Sequence, residues 1–183
     1  MTNQRPLVFL DFDDVIVVNL PGRACESGPI AQNLSKELAA QLFYRPAAAV
    51  LVDALHEHDA HVVITSSWLR LMLRESFEKL LTMAGLGVVS QSFHEHWEAP
   101  QHRGETRAQA IERWLALHHR GEPYVILDDD LSGTGLRRSV HARSRRLVMC
   151  KVGVGLHTGH SAAIRAALGR QCKQDRTASR TPD

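Results

Sequence analysis

The sequence is poor in cysteine and has no long apolar run. Its 183 residues include three cysteines, Cys25, Cys150 and Cys172, an odd number without metal-ligand spacing. This excludes a secreted disulfide scaffold and favours a reducing compartment. No apolar run approaches the ~20 residues that a membrane helix needs, and Asp11 interrupts the first run too early for a signal-peptide core. We therefore expect a cytoplasmic protein with no membrane partner.

The sequence also lacks an excess of charge of one sign. It has 22 Lys and Arg residues against 20 Asp and Glu residues, a formal net charge of +2. Net charge alone therefore indicates no acidic or nucleic-acid partner. The acids are unevenly placed, because two triplets each directly follow an apolar run: Asp11/Asp13/Asp14 and Asp128/Asp129/Asp130. Position within the sequence is more informative than the total.

Chain length and apolar runs predict the domain organisation and the strands. The length fits one domain, which we place at residues 1–169, with a short insert at about 19–45 and a disordered tail at 170–183. Continuous apolar runs rich in strand-forming residues predict buried strands. These runs are Leu7–Leu10, Val62–Ile64, Tyr124–Leu127 and Leu147–Cys150, with a fifth strand expected at Gly87–Val89.

Apolar residues at three- and four-residue spacing predict helices between these runs. One helix begins near Pro46, a second spans Trp68–Ala84 and ends at Gly85, and two more span Thr106–His119 and Ser161–Leu168. Strands that alternate with helices imply a parallel sheet covered on both faces. The predicted fold class is therefore α/β, a Rossmann-like three-layer sandwich with a mostly parallel central sheet and a minimal cap or flap insert.

Polar side chains follow the predicted strands at the points where the strands end. Carboxyl ends of parallel strands meet at one edge of the sheet, where ligands bind. The residues expected there are Asp11, Asp13, Thr65 or Ser66, Asp128 and Asp129. Clustered carboxylates repel one another unless a cation lies between them, and ligands with oxygen atoms only favour Mg²⁺. The sequence therefore predicts a magnesium site at this edge.

Four ordered motifs resemble those of the haloacid dehalogenase (HAD) superfamily. They are Asp11-Phe12-Asp13-Asp14-Val15, the strand ending in Thr65-Ser66, an arginine within Arg103–Arg107 at a helix start, and Leu127-Asp128-Asp129. The segments Ile64–Arg70, Arg107–Leu115 and Tyr124–Asp130 look most like HAD domains of modular RNA-repair proteins, relatives of the phosphatase half of polynucleotide kinase-phosphatase. One departure is Asp14, which stands where the superfamily usually has glycine.

The resemblance implies a role for each matched residue. Asp11 would attack phosphorus and form an aspartyl-phosphate, and Asp13 would act as general acid and then general base. Thr65 would bind a phosphoryl oxygen, with Ser66 as a substrate-binding alternative. An arginine would stabilise the transition state; spacing favours Arg107 over Arg103, which stays a substrate-binding candidate. The Mg²⁺ ligands would be Asp11, the Asp13 carbonyl, and Asp129 or Asp128.

These residues favour a Mg²⁺-dependent phosphomonoesterase whose substrate is a nucleic-acid 3′-phosphate end or a nucleotide. The alternative is a HAD-like module that binds nucleic acid or protein with little turnover. A receiver-type phosphoacceptor fits less well, because its acidic pair precedes the acceptor aspartate, whereas here the second acidic triplet comes late. Natural substrate, oligomeric state and pathway are not specified by the sequence.

An acid-free basic stretch, residues 136–151, follows the second acidic triplet. Two interpretations are open: a track for a nucleic-acid backbone, or a solvated basic loop, which we favour slightly because stacking aromatics are absent. His94, His96, His118 and His119 lack a third-ligand pattern and are expected to lie on the surface. Trp68 and Trp114 are expected to pack helices against the sheet.

Overall fold

The computed structural model describes residues 4–18 and 35–169. Five strands and seven α-helices occur in the described residues, with three short 3-10 helices at Ser67–Arg70, Leu136–Arg138 and Thr158–His160. The elements in chain order are β1 Leu7–Leu10, α1 Lys36–Leu42, α2 Arg45–His58, β2 His61–Ile64, α3 Arg74–Met83, α4 Gly87–Gln91, β3 Phe93–Glu98, α5 Arg107–His118, β4 Tyr124–Asp129, α6 Val140–Arg143, β5 Leu147–Cys150 and α7 Ser161–Leu168.

The strands form one parallel sheet in the order β3-β2-β1-β4-β5. In the centre, Leu10 is in register with Ile64 on one side and with Leu127 on the other. Strands β1 and β2 therefore end level with each other, and β4 continues beyond them to Asp129. The predicted α/β class and the parallel sheet are confirmed, as are the strands expected at Leu7–Leu10, Val62–Ile64, Tyr124–Leu127 and Leu147–Cys150.

Helices cover both faces of the sheet, because alternate strand residues point in opposite directions. Val8 and Leu10 pack on one side in a core with α2, α3, α4 and α7. Leu7 and Phe9 pack on the other side against α5, where the Phe9 and Trp114 rings meet edge to face at 5.1 Å. Trp68 and Trp114 are both buried, as expected. The result is the predicted three-layer sandwich.

The strand predicted at Gly87–Val89 is wrong. These residues begin helix α4, and the third strand is β3, Phe93–Glu98. A short apolar run does not distinguish a strand from one turn of buried helix. Strand β3 forms an edge of the sheet and is mostly exposed or half-buried beyond Phe93, so its sequence lacks the apolar run used to find the other strands.

The single helix predicted over Trp68–Ala84 is also wrong in its first part. Ser66 caps the 3-10 helix Ser67–Arg70, and Leu73 adopts an extended conformation before α3 begins. Gly85 follows α3 with a φ of +76°, the left-handed conformation that favours glycine after a helix. The predicted end of the helix is therefore confirmed, whereas its start is displaced to Arg74.

Part of the predicted insert lies outside the described residues. Residues 19–34 and the predicted tail at 170–183 are not among them, and the described end of the insert contains α1. In the described residues, no single helix has the length and apolar character to cross a membrane. Helices α1 and α2 reach that length and composition only when joined, and they are bent by 81°.

Candidate active site

Three buried carboxylates meet where the order of strands along the chain reverses, between β1 and β4. Asp11 directly follows β1, and its backbone N–H donates to the Leu127 carbonyl at 3.0 Å. Asp128 and Asp129 end β4. One carboxylate oxygen of each of the three lies within 4.8 Å of the others. We call Asp11, Asp128 and Asp129 the acidic cluster, and the side of the sheet on which it lies the carboxyl edge.

Phe12 sets the direction of the two aspartates that flank it. Its ring is fully buried and meets the rings of Phe43, Trp68 and Phe77 edge to face at 5.2 to 5.9 Å. In extended chain, neighbouring side chains point to opposite sides. Burial of Phe12 in the core therefore leaves Asp11 and Asp13 on the side away from the core.

Arg107 is the cation of the acidic cluster. Its side chain is 2% exposed, and it forms ion pairs with Asp11, at 3.4 Å from Nη2 to Oδ1, and with Asp128, at 3.1 Å from Nε to Oδ2. Arg107 is the first residue of α5, and its backbone N–H donates to Thr134 Oγ1 at 2.9 Å. Arg103 is exposed in the preceding loop. The structure thus brings Arg107, and not Arg103, to the carboxylates.

The acidic cluster carries more negative charge than Arg107 compensates. Burial raises the pKa of Asp11 to about 6, with Asp13 and Asp129 adding to the rise and Arg107 opposing it. Burial, followed by the charge of Asp11, raises the pKa of Asp128 well above its usual value. Three carboxylates face one guanidinium, so a bound cation would be strongly favoured here.

Asp13 is held by a tryptophan. The indole N–H of Trp68 donates to Asp13 Oδ2 at 2.9 Å, across 55 residues of sequence. Burial raises the pKa of Asp13, and the Trp68 hydrogen bond opposes that rise. A carboxyl group whose pKa is raised is better suited to give and take a proton near neutral pH. The expectation that Trp68 only packs was therefore incomplete.

The hydroxyl of Thr65 is buried at the end of β2. Thr65 is 0% exposed, and Oγ1 has no hydrogen-bond partner among the described residues. Such a group costs free energy unless a ligand or water binds it. Ser66 Oγ instead accepts from the Trp68 backbone N–H at 3.4 Å. Of the two alternatives, Thr65 is therefore the one whose hydroxyl has no partner among the described residues.

The turn after β4 supplies contacts that the sequence analysis did not identify. Ser132 Oγ donates to Asp129 and also lies 3.2 Å from Asp11 Oδ2. Asp129 Oδ1 accepts from the backbone N–H groups of Leu131 at 2.6 Å and Ser132 at 3.1 Å. A Cβ on Gly133 would lie 2.6 Å from the Asp129 carbonyl oxygen, so only glycine fits there. The Ser-Gly pair after the acidic triplet is the sequence signal that could have identified this turn.

Asp14 has a structural role that explains its difference from the resembled pattern. Its φ is +52°, in the left-handed region where glycine is most common and aspartate is tolerated. Its Oδ1 accepts from the Gly153 backbone N–H at 2.8 Å. This bond ties the turn after β1 to the loop after β5, so Asp14 is directed to that loop and away from the acidic cluster.

The basic stretch 136–151 leads away from the carboxyl edge and then returns to it. Arg137, near its start, pairs with Asp130. In the middle, the guanidinium of Arg146 lies 4.3 Å from the centre of the Tyr124 ring, at the first residue of β4, on the opposite side of the sheet, which we call the amino edge. Strand β5 then runs back, and Cys150 is in register with Asp129. The two ends of the stretch, and not its middle, are therefore close to the carboxyl edge.

The predicted surface histidines form a ring cluster and no metal site. His96 and His118 stack with ring centres 3.8 Å apart, and His94 meets the Trp114 ring at 5.2 Å. In the described part of the chain, the acidic cluster is the only group of three or more acidic, histidine or cysteine residues close enough to share a metal ion.

A family comparison matches this arrangement of motifs. The model of a family described as the HAD domain in Swiss Army Knife RNA repair proteins matches residues 7–161. The chain belongs to this family. No curated protein and no solved structure matches the chain. The resemblance to HAD domains of RNA-repair proteins is therefore confirmed, and this HAD domain supports a phosphohydrolase activity in general terms.

Proposed function

We propose that the protein is a Mg²⁺-dependent phosphomonoesterase that works through an aspartyl-phosphate on Asp11. The observation that carries this proposal is the acidic cluster with Arg107. Three buried carboxylates from two adjacent strands lie within 4.8 Å of one another, and one buried guanidinium pairs with two of them. A purely structural cluster gains little from burying three like charges around one cation.

The residues fit a divalent cation by proximity and by donor type. One carboxylate oxygen from each of the three residues lies within 4.8 Å of the others, which is close enough for the three to share one ion. The donors are all carboxylate oxygens, the type that Mg²⁺ prefers. Asp11, Asp129 and Asp128 would hold the ion, together with the Asp13 carbonyl. When bound, the ion would neutralise charge on the phosphoryl oxygens.

In the first step, Asp11 acts as nucleophile. One of its carboxylate oxygens forms a bond to phosphorus as the bond from phosphorus to the leaving oxygen breaks. Asp13, held by Trp68, gives its proton to that leaving oxygen. Arg107 and the Thr65 hydroxyl stabilise the transferring phosphoryl group. Asp11 must be ionised for this step, and a pKa of about 6 leaves it mostly ionised above pH 7.

In the second step, Asp13 acts as base. It takes a proton from a water molecule, the water oxygen bonds to phosphorus, and the bond between phosphorus and Asp11 breaks. This returns Asp11 as a carboxylate and Asp13 in its protonated form, and it releases inorganic phosphate. Arg107 is held by Asp128, which takes no part in the bond changes, so the positive charge is already in place at each transition state.

The proposed substrate is a phosphorylated nucleic-acid end, with a nucleotide as the smaller alternative. The description of the matching family names RNA repair proteins, which supports a nucleic-acid end. The proposed location is the cytoplasm, which is supported by a free cysteine, Cys150, buried at the end of β5.

Phosphate release from an aryl phosphate tests this proposal. We expect release by the wild type with Mg²⁺, none with a chelator, and a loss of at least a thousandfold in Asp11→Asn. Asp53→Asn is the matched control, because the same change is made on an exposed helix residue outside the site. It should keep wild-type turnover. Folding of each variant is checked by circular dichroism and thermal unfolding.

The alternative function, a binding module with little turnover, predicts a different result. The wild type would then release no phosphate from aryl phosphates, nucleotides or 3′- and 5′-phosphorylated oligonucleotides, while still binding one of them. Full activity in Asp11→Asn would exclude Asp11 as the nucleophile.

A further inference from the structure

A cavity of about 360 Å³ opens at the carboxyl edge, on the side of β2 and β3. Its lining residues are Arg70, Gln101, His102, Arg103, Gly104 and Glu105. We call it the arginine cavity. Arg70 ends the 3-10 helix that begins directly after Ser66. The loop with Arg103 follows β3, whose last residue, Glu98, is in register with Ile64 at the end of β2. The two segments that line the cavity therefore begin at the carboxyl edge, beside the proposed phosphate site.

The arginine cavity has a surplus of positive charge. Arg70 and Arg103 are both exposed, and neither forms an ion pair with another described residue. The acid in its wall, Glu105, is already neutralised, because Arg113 bonds both of its carboxylate oxygens at 3.0 and 3.1 Å. Two guanidinium groups are thus available to an anion, the group that arginine binds best.

The loop that carries Arg103 is preformed. Arg113 reaches from α5 to the Pro100 carbonyl at 2.6 Å, and the Gln101 amide donates to the Glu105 carbonyl. Glu105 accepts from the His102 backbone N–H at 2.9 Å. These bonds fix both ends of the turn, with Arg103 between them. Binding therefore costs little ordering of the backbone, which favours affinity.

The loop with Arg103 is near enough to Arg107 for one substrate to reach both. Arg103 is four residues before Arg107, so their Cα atoms are at most about 14 Å apart. Arg107 pairs with the nucleophile candidate, Asp11. The volume of the cavity is within the range of small-ligand pockets, roughly 300 to 1,000 Å³, and exceeds what one phosphate needs. It has room for a neighbouring sugar-phosphate unit.

We propose that Arg70 and Arg103 bind a second phosphate group of the substrate, so that the enzyme selects phosphorylated oligonucleotide ends over molecules with one phosphate. This proposal rests on the proposed function for the reacting phosphate. It differs from the basic-stretch hypothesis, because the arginine cavity is beside β2 and β3, whereas the basic stretch connects β4 to β5.

The test compares two substrates in an Arg70→Gln/Arg103→Gln variant. The substrates are p-nitrophenyl phosphate, which has one phosphate, and a five-nucleotide RNA with a 3′-phosphate. We expect the ratio of the two kcat/KM values, RNA over aryl phosphate, to fall at least tenfold. The loss should lie in the KM for RNA and not in kcat. The control is Arg5→Gln/Arg165→Gln, which removes the same charge near the starts of β1 and β2, where Arg5 pairs with Asp59 and Arg165 with Glu57.

A third substrate separates the two sources of a second phosphate. A nucleoside 3′,5′-bisphosphate has two phosphates and no internucleotide link. If its kcat/KM falls as much as that of the RNA in the double variant, the cavity binds any second phosphate. If only the kcat/KM for the RNA falls, the cavity binds the internucleotide phosphate. An unchanged RNA-to-aryl-phosphate ratio, or an equal fall in the control variant, would overturn the proposal.

A binding measurement keeps this proposal separate from the catalytic one. Fluorescence anisotropy gives the Kd of the labelled five-nucleotide RNA for Asp11→Asn, with and without the two arginine substitutions. We expect the Kd to rise at least tenfold when both arginines are removed, and the salt slope to become shallower by about 0.7 for each phosphate that an arginine no longer neutralises. An unchanged Kd would overturn the proposal that the arginine cavity binds phosphate. If the Kd rises as expected but the wild type shows no turnover, only the catalytic proposal is overturned.

Discussion

The two edges of the sheet each bury a polar cluster, and the clusters differ in charge. At the carboxyl edge, Asp11, Asp128 and Asp129 lie together, and Arg107 pairs with the first two. At the amino edge, the Tyr124 hydroxyl and His141 Nδ1 share a hydrogen bond of 2.8 Å. Each edge also buries a polar atom without a hydrogen-bond partner among the described residues, Thr65 Oγ1 and His141 Nε2.

The amino-edge pair is built for stability. Burial, followed by the charge of Arg146, lowers the pKa of His141 to about 4, so the imidazole is neutral at pH 7. A neutral pair carries no charge that a ligand must compensate. The carboxyl edge keeps excess negative charge beside the Thr65 hydroxyl, which is what a site for a cation and a phosphate requires. The buried polar groups at the amino edge thus stabilise the fold, whereas those at the carboxyl edge are suited to a reaction.

The largest effect should follow the substitution of Arg107, the guanidinium at the carboxyl edge. We expect Arg107→Gln to lower phosphate release by roughly a hundredfold to a thousandfold, because the transition-state charge loses its fixed partner. The free energy of unfolding should also fall, by about 3–5 kcal/mol, because buried carboxylates lose their counter-charge. Kinetics and urea unfolding measure the two effects. Activity above a tenth of wild type would show that another cation serves the site.

Removal of the amino-edge histidine should affect stability only. His141→Phe keeps an aromatic ring at this position but removes the hydrogen bond to the Tyr124 hydroxyl. We expect the free energy of unfolding to fall by about 1–3 kcal/mol in urea at pH 7.5. Phosphate release per folded molecule should match the wild type. A large loss of turnover would mean that the two edges are coupled.

The pH dependence of stability should sharpen the same comparison. The unfolded chain protonates His141 near pH 6.5, whereas the folded chain does so only near pH 4. Stability from the neutral imidazole is therefore complete above pH 6.5 and is lost as the pH falls towards 4, by at most about 1.4 kcal/mol per pH unit. Urea unfolding of wild type and His141→Phe from pH 7.5 to 5 should show a steeper decline for the wild type. Parallel curves would contradict the neutral histidine.

The smallest effect should come from the middle of the basic stretch. Arg143 and Arg145 lie on the segment that leads from the carboxyl edge to Arg146 at the amino edge. We expect Arg143→Ala with Arg145→Ala to change the Kd of a phosphorylated oligonucleotide by less than twofold, with little change in its salt slope. A tenfold rise in Kd would instead support the hypothesis that the basic stretch binds a nucleic-acid backbone.

The carboxylates of the site could be predicted from the sequence, because each follows a continuous apolar run. Such runs mark buried parallel strands, and the ends of those strands must meet. The sequence alone is therefore enough to place Asp11, Asp128 and Asp129 together. Spacing favoured Arg107 over Arg103 but left both possible, since both precede or begin the same helix; the burial of Arg107 and the exposure of Arg103 distinguish them.

The remaining features depend on contacts that have no local sequence pattern. Trp68 looks like any core tryptophan, and only its position beside Asp13 reveals the hydrogen bond. Strand β3 is an edge strand with few buried residues, so its sequence has no apolar pattern that predicts a strand. Asp14 stands next to Asp13 in the sequence, in place of the usual glycine, and only its left-handed φ and its hydrogen bond to Gly153 show that it is directed to the loop after β5.

The most direct test of the account is to detect phosphate on Asp11. Wild type turning over p-nitrophenyl phosphate with Mg²⁺ is quenched in acid, reduced with borohydride, which converts aspartyl-phosphate to homoserine, and examined by peptide mass spectrometry. We predict homoserine at position 11, none there when substrate is omitted, and none at Asp128 or Asp129. Steady turnover with residue 11 unmodified, or with the modification on another aspartate, would contradict the proposal that Asp11 is the nucleophile.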